Sequence, residues 1–391
     1  MTTLPDALGS ERWERALASI ASRGPDATGE WASDGISFGH QRLSIIGLGS
    51  EGAQPRVTDP EHVLVFNGEI YNFRELAEEL GIAARSDTQV LYEIGRRGEW
   101  SRWIRRLRGM FAFVHYHQTA KALTVARDPF GIKPLFYRHH SDGSLSFAST
   151  VAALAELSPM TLAPSPVALT GFLANGVFSH GTTAFSEISK IEPGVLKKWQ
   201  RTERGWVVKR QQIELSGWPS ETTSGALRDS VAAHLVADVE VGVLLSGGVD
   251  STLIAALAAE MSPGVRTFCL TNPQSPAIDE AALARHNASL LGTTHVEVPV
   301  TPATLADRAD ALIRSTGEPF SDAAYLPLSA LSEVVAEHVK VALAGEGADE
   351  LFGGYRRYDV ERLIDSPGFG SSVRMAGRLA AFDRRWPHPV S

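Results

Sequence analysis

From about residue 223 to 345, short apolar runs alternate with helix-like ones. No other feature narrows the fold as far. "VEVGVLL" (239–245), "VRTFCLT" (265–271), "THVEVPV" (294–300) and "KVALAG" (340–345) read as strands. "SGALRDSVAAHLVAD" (224–238), "DSTLIAALAAEM" (250–261), "DEAALARHNASLLG" (279–292), "LADRADALIRSTG" (305–317) and "LSALSEVVAEHV" (328–339) read as helices around them. Strand runs that keep giving way to helical runs predict βαβ units, hence a parallel sheet covered by helices.

The first 205 residues have another texture. "HVLVFNGEIY" (62–71), "GMFAFVHYH" (109–117), "ALTVARD" (122–128) and "SLSFAS" (144–149) are β-rich and bounded by Gly, Pro, Asp and Ser. "NFRELAEELG" is a helix closed by Gly81. "SDTQVLYEIGRRG" is another, opened by Ser86 with Gln89 three residues later, the pattern of a capping box. Dense strands with few helices predict an α+β layered domain. At 391 residues the chain exceeds what one compact core usually holds. The expected division is 1–205, a terminal hairpin plus linker over 206–222, and 223–391.

Chemistry concentrates where strands meet helices. In "LLSGGVDST" (244–252) a strand runs through Ser246, Gly247 and Gly248 into a helix. A helix N-terminus presents unpaired backbone N–H groups and positive partial charge, and glycines let a phosphate approach the backbone. Asp250 would repel that phosphate unless a divalent metal lay between them. No G-x-x-x-x-G-K-[ST] occurs, so this is not the lysine-bearing phosphate loop. In "KVALAGEGADELFGGY" (340–355) a second strand meets Glu346, Asp349 and Glu350 among glycines. In an open α/β sheet both loops would face the crevice at the strands' carboxyl ends, which points to Mg²⁺-bound phosphate. The bland readings are a Gly-rich turn with a capping Asp and a solvated acidic turn.

"LLSGGVDST" resembles the pyrophosphate loop of ATP-pyrophosphatase enzymes, and "GEGADELFGGY" narrows the likeness to the asparagine synthetase family. "RGPDATGEW", "GHQRLSIIGL", "LVFNGEIYNFREL", "SDTQVL", "RGMFAF" and "ARDPFGIKPLFY" resemble that family's glutaminase domain. The likeness runs from about Arg23 to about Tyr358. It implies an N-terminal nucleophile hydrolase-like αββα sandwich followed by an ATP-pyrophosphatase parallel-sheet domain. It also implies an ATP- and Mg²⁺-dependent amide-forming ligase that adenylates a carboxylate such as aspartate. Carried over residue by residue, Ser246, Gly247, Gly248, Asp250 and Ser251 would hold pyrophosphate, and Asp250 with Asp349 would bind Mg²⁺. Leu245, Leu270, Ala344 and Gly345 would line the nucleotide, and Glu346 would be the catalytic carboxylate. Arg42, Ile45, Asn67, Gly68, Glu69 and Asp87 match glutamine-binding positions: Arg42 for the α-carboxylate, Glu69 and Asp87 for the α-amino group, Asn67 and Gly68 for the oxyanion hole. Asp87 also reads simply as an early-turn helix acid, and "FNGEIYN" as an Asn-Gly hairpin turn.

The chain departs from the family at both ends. The glutaminase nucleophile is a Cys directly after Met; here Thr2 stands there, and the single cysteine, Cys269, lies in apolar "VRTFCL" of the other half. No Lys follows Lys340, where the family places one that assists adenylation. The expectation is a ligase using ammonia or another amine, or a relative of the β-lactam synthetase or lasso-peptide cyclase type. The alternative is a non-catalytic nucleotide-binding fragment or subunit.

Charge excludes some partners. Lys and Arg number 37 against 45 Asp and Glu, a net charge of −8, whereas a phosphate-backbone binder wants a basic face. The basic run "GRRGEWSRWIRRLRG" (95–109) reads as an amphipathic segment anchored by Trp100 and Trp103. One cysteine fits a reducing compartment, and no run approaches the ~20 apolar residues of a membrane helix. Small-molecule substrates (an aspartate-like carboxylate, ammonia or glutamine), a cytoplasmic location and no nucleic-acid or membrane partner are expected. A homodimer stays open.

Overall fold

The computed structural model describes residues 10–158, 161–179, 181–203, 205–214, 222–274 and 279–365. Thr2, the linker text over 215–221 and the closing "RRWPHPVS" lie outside the described residues. Fourteen strands are described: β1 (Ala27–Ser33), β2 (Ile36–Arg42), β3 (His62–Ile70), β4 (Gly109–His117), β5 (Ala122–Arg127), β6 (Phe136–His139), β7 (Leu145–Ala148), β8 (Ile188–Lys190), β9 (Val195–Thr202), β10 (Gly205–Gln212), β11 (Val241–Leu244), β12 (Arg266–Thr271), β13 (Thr294–Pro299) and β14 (Val341–Leu343).

Strands β1 to β10 build the layered domain. One antiparallel sheet has the order β10-β9-β5-β4-β3; β1-β2 and β7-β6-β8 form the facing layer. Successive side chains of a strand point to opposite faces, and β4 uses both. Phe111 and Phe113 pack with Leu64, Phe66, Leu76, Leu91 and Trp103, under the helices Phe73–Leu80 and Asp87–Arg96. Ala112, Val114 and Tyr116 instead meet Phe38, Val125, Phe147 and Trp199 between the two sheets. Helices Ser10–Ala18 and Val151–Glu156 cover the outer face through Ala16, Val151 and Leu154. The order helix, sheet, sheet, helix is the expected αββα sandwich.

Local signals were read correctly where the chain carries its own punctuation. Gly81 closes its helix in the left-handed region at φ 68°. Ser86 Oγ accepts from Gln89 N–H while the Gln89 side chain accepts from Ser86 N–H, so the capping box forms. Trp100 and Trp103 are buried, as anchors of the basic run should be. "FNGEIYN" is not a turn: Asn67 and Gly68 lie inside β3, opposite Ala112 and Phe111 of β4.

Strands β11 to β14 form a four-stranded parallel sheet in the order β13-β12-β11-β14. Phe268, Val298, Leu331, Val335 and Val339 make its core. The chain steps from β11 out to β12 and β13, then returns to place β14 on the other side of β11. That reversal is the switch point at which an open α/β sheet binds ligands.

The compact units divide the chain elsewhere than the expected boundaries. Described residues up to Glu240, with Ala303–Ala330, form one unit; Val241–Pro302, with Leu331 onward, form the other. Residues 205–212 form β10, the second strand of the expected terminal hairpin, paired along its length with β9. The 303–330 segment joins the first unit through specific contacts. Glu318 accepts from Ala184 N–H at 2.9 Å and lies 3.2 Å from Lys190 Nζ. Gly317 sits so close that a Cβ there would lie 2.4 Å from Ala152 N. Helical periodicity shows that a segment has an apolar face, not which core that face meets.

Candidate functional site

Two constellations carry chemistry, one in each unit. In the first, a cavity of about 260 Å³ is lined by Arg42, Ile45, Asn67, Gly68, Glu69 and Asp87, together with Arg23, His40 and Lys133. All six sequence-predicted residues therefore meet around one space. β3 supplies Asn67–Glu69, the end of β2 supplies Arg42, and the capped helix supplies Asp87 as its first residue. Gly68 is irreplaceable by geometry: its φ is +146°, and a Cβ would lie 2.0 Å from Met110 O.

The cavity holds unpaired polarity. Asn67 Nδ2, Glu69 Oε2 and His40 Nδ1 are buried with no hydrogen-bond partner among the described residues. A buried unpaired donor or acceptor is unfavourable by about 1–3 kcal/mol, so such a wall is complementary to a polar ligand. Asp87 does more than an early-turn acid: it is buried, Oδ2 accepts from Ile70 N–H at 3.1 Å, and Oδ1 accepts from Thr88 N–H at 2.6 Å. Burial pushes the Asp87 carboxyl up, against those hydrogen bonds. Burial and then the Asp87 charge push Glu69 up, with Lys133 and Arg42 pulling the other way. Two acids in one cavity resist ionising together, and a cation such as an α-ammonium would relieve their repulsion.

Arg42 is buried and its guanidinium donates to the loop that follows β2: Nη1 to Gly49 O at 3.0 Å, Nη2 to Ile46 O at 3.4 Å and to Gly47 O. It fixes the cavity's rim. Asp238 fixes it from behind, donating its N–H to Ile45 O at 2.9 Å and accepting from Gly47 N–H at 2.7 Å. Arg23, His40 and Lys133 were not singled out by sequence reasoning, although "RGPD", "GHQR" and "GIKP" contain them. Burial holds His40 down at about 4, so it is a neutral imidazole, and burial also lowers Lys133.

The second constellation sits at the switch point. The helix after β11 begins at Val249 with Gly248 as its N-cap, so Asp250 is a first-turn acid. Serines brace the loop: Ser246 Oγ lies 2.8 Å from Ser251 Oγ, Gly248 N–H donates to Ser246 Oγ at 3.1 Å, and Ser246 N–H donates to Ser251 Oγ at 3.1 Å. Gly247 N–H donates to Glu280 Oε2 at 3.1 Å, so an anionic oxygen already occupies the loop's donor. Leu245 is buried and Leu270 half-buried.

Because β11 pairs directly with β14, the second loop arrives alongside. A Cβ on Gly345 would stand 3.3 Å from Asp250 Cβ and 3.4 Å from Ser251 N, so a glycine allows the close approach. Asp349 turns elsewhere, its carboxylate lying over Gly354, whose Cβ would stand 1.8 Å from Oδ1. Glu346 is exposed, and Glu350 accepts from Tyr355 Oη at 2.9 Å. The donor set fits the expected groups: loop N–H groups and hydroxyls for phosphate, carboxylates for a hard cation. Cys269 is buried on β12, and burial with nearby acids pushes its thiol up to about 11. It is no nucleophile.

Family comparison agrees in both units. The profile described as "Glutamine amidotransferase domain" matches residues 3–209, and that described as "Asparagine synthase" matches 222–386. The chain belongs to the asparagine synthetase family. It is similar to "Asparagine synthetase [glutamine-hydrolyzing] 1" of Bacillus subtilis, 33% identical over 352 residues, 87% of this chain and 55% of that protein. It is also similar to a putative asparagine synthetase of Mycobacterium bovis, 34% identical over 88% of this chain and 57% of that one. Similarity extends to "Amidase chry2" of Gibberella zeae, 30% identical over 91% of this chain and 57% of that protein. The chain thus spans little more than half the length of these relatives. Among the described residues no helix is long and apolar enough to cross a membrane.

Proposed function

We propose that the chain carries the ATP-dependent, amide-forming chemistry of an asparagine synthetase, with an aspartate-like carboxylate as acceptor. The observation that carries this reading is the pairing of β11 with β14 at the switch point, which sets Gly345 against Asp250. In this reading Ser246, Gly247, Gly248 and Ser251 bind pyrophosphate oxygens through N–H and O–H donors, and Asp250 and Asp349 hold Mg²⁺. Leu245, Leu270, Ala344 and Gly345 line the nucleotide, and Glu346 faces the acceptor carboxylate. Bound Mg²⁺ would neutralise the charge on departing pyrophosphate. The working division of labour keeps the first compact unit for glutamine and the second for the nucleotide.

Ammonia or another amine is the proposed nitrogen donor, because the chain's single thiol is the buried Cys269. The cavity around Glu69 and Asp87 then serves as a glutamine-binding site without a thiol of this chain beside it. The deciding experiment is aspartate-dependent ATP–pyrophosphate exchange with the purified chain, alongside glutamate release from glutamine. Exchange without glutamate release supports the reading; glutamate release overturns the donor assignment. A second reading, nucleotide binding without turnover, draws on the Asp349 carboxylate lying over Gly354. Nucleotide binding with no exchange across a panel of carboxylates would favour it.

A further inference from the structure

The strand pair that carries the glutamine pocket at one end carries a different cluster at the other. His62 opens β3 and His117 closes β4, and the register sets them directly opposite each other. Their imidazole rings stack with centroids 4.5 Å apart and planes 27° apart. Glu61, one residue before β3, brings Oε2 to 3.6 Å from His117 Nε2. One ligand atom from each of Glu61, His62 and His117 lies within 4.8 Å of the others, the one such group of three found among the described residues.

The surroundings brace the backbone at Glu61 and His62 and the Glu61 carboxylate. Asp59 Oδ1 accepts from the backbone N–H of both Glu61 and His62 at 2.9 Å, and its Oδ2 accepts from Tyr92 Oη at 3.0 Å. Thr119 Oγ1 donates to Glu61 Oε1 at 3.1 Å, which leaves Oε2 turned to His117. His62 is 7% exposed, and its Nδ1 is buried with no hydrogen-bond partner among the described residues. An imidazole nitrogen left unpaired in the interior is unfavourable unless something supplies a partner.

We propose that Glu61, His62 and His117 bind a divalent transition-metal cation of the zinc class. Two imidazoles and one carboxylate form a borderline donor set that suits Zn²⁺, with the fourth tetrahedral position left to water. Mg²⁺ and Ca²⁺ prefer all-oxygen shells and fit poorly. Convergence on one ion requires the rings to turn out of their stack, and the His117 side chain, 38% exposed, has room to do so. Braced ligands of this kind follow the rule that outer hydrogen bonds orient the inner ones. Glu69 lies seven residues further along β3, about 23 Å away at ~3.3 Å per residue, so the site is separate from the glutamine pocket. An ion here would clamp the far ends of the two strands whose other ends form the pocket wall.

The test uses the tag-free full chain, stripped with chelator and titrated with ZnCl₂ by calorimetry, with thermal unfolding alongside. One equivalent should bind with a dissociation constant in the micromolar range or below, and the unfolding midpoint should rise. His117→Gln and Glu61→Gln, both at accessible positions, should weaken binding roughly tenfold or more, while His286→Gln on an exposed helix face leaves it unchanged. Absence of stoichiometric zinc binding overturns the proposal, as does affinity unaltered in His117→Gln. An equal rise in unfolding midpoint with MgCl₂ also overturns it.

Discussion

The cavity around Glu69 and Asp87 and the switch-point loops are built on opposite principles. The cavity is walled largely by strands, Asp87 is buried, Glu69 is half-buried with its Oε2 buried, and its unpaired atoms were placed before any ligand arrives. The loops at β11 and β14 are half-buried to exposed, Asp250, Glu346 and Glu350 are exposed, and Ser246 and Ser251 brace the first loop. Buried polarity must be complementary to one ligand because water cannot repair a mismatch. An exposed loop can present charge cheaply and leave its final geometry to the ligand. Substitutions should therefore damage stability in the first region and activity in the second.

Asp250→Ala is the largest separation expected. Exchange should fall by on the order of a hundredfold or more if the acid holds the metal, while the urea midpoint hardly moves, because an exposed first-turn acid contributes at most about 1 kcal/mol. Retained exchange would break the assignment. Gly68→Ala should do the reverse, lowering stability by about 3 kcal/mol through forbidden φ and a clash with Met110 O. Urea unfolding that matches the wild type would contradict the strain.

A subtler contrast lies in pH. Burial raises Glu69 and Asp87 above the ordinary carboxylate range, so their protonated forms favour the folded state. The stability they contribute is fully present below about pH 4 and is lost as pH rises through their elevated values. Glutamine's α-ammonium wants the carboxylates, so its affinity should climb with pH over the same window, by up to about tenfold per pH unit. Calorimetric titrations near neutral and mildly acid pH check this, and Glu69→Gln should flatten the profile. Nucleotide affinity in the other unit should not follow that curve. The smallest effect belongs to Glu280→Gln, which removes the charge resting on Gly247 N–H. Nucleotide affinity should rise by roughly twofold to threefold; a fall would mean Glu280 assists the loop rather than occupying it.

Much of this was legible in residue order. Strand-to-helix alternation predicted the parallel sheet, and the family resemblance put Arg42, Ile45, Asn67, Gly68, Glu69 and Asp87 into one binding set, all of which line one cavity. His40 was missed because Arg42 drew the chemical reading of its motif, and no residue of the motifs holding Arg23 and Lys133 was given a role. The Asn67–Gly68 pair shows the ambiguity of local signals: the same dipeptide makes a hairpin turn or, as here, a strand interior with one glycine at φ +146°.

What the sequence determined alone is what local chemistry decides: the two textures, the capping box at Ser86, the glycine stop at Gly81, and the glycines and acids waiting after two strands. Helix and strand periods, caps and φ > 0 positions depend on neighbours a few residues away. Only the tertiary structure decided which core each helix joins, that 303–330 packs with the first unit, and that Gly345 reaches Asp250 from 95 residues away in the chain. It also decided that Glu69 and Asp87 share one buried space and that His62 faces His117. Those facts depend on strand register and sheet order, which bring together residues far apart in the chain, and a single sequence leaves both unspecified.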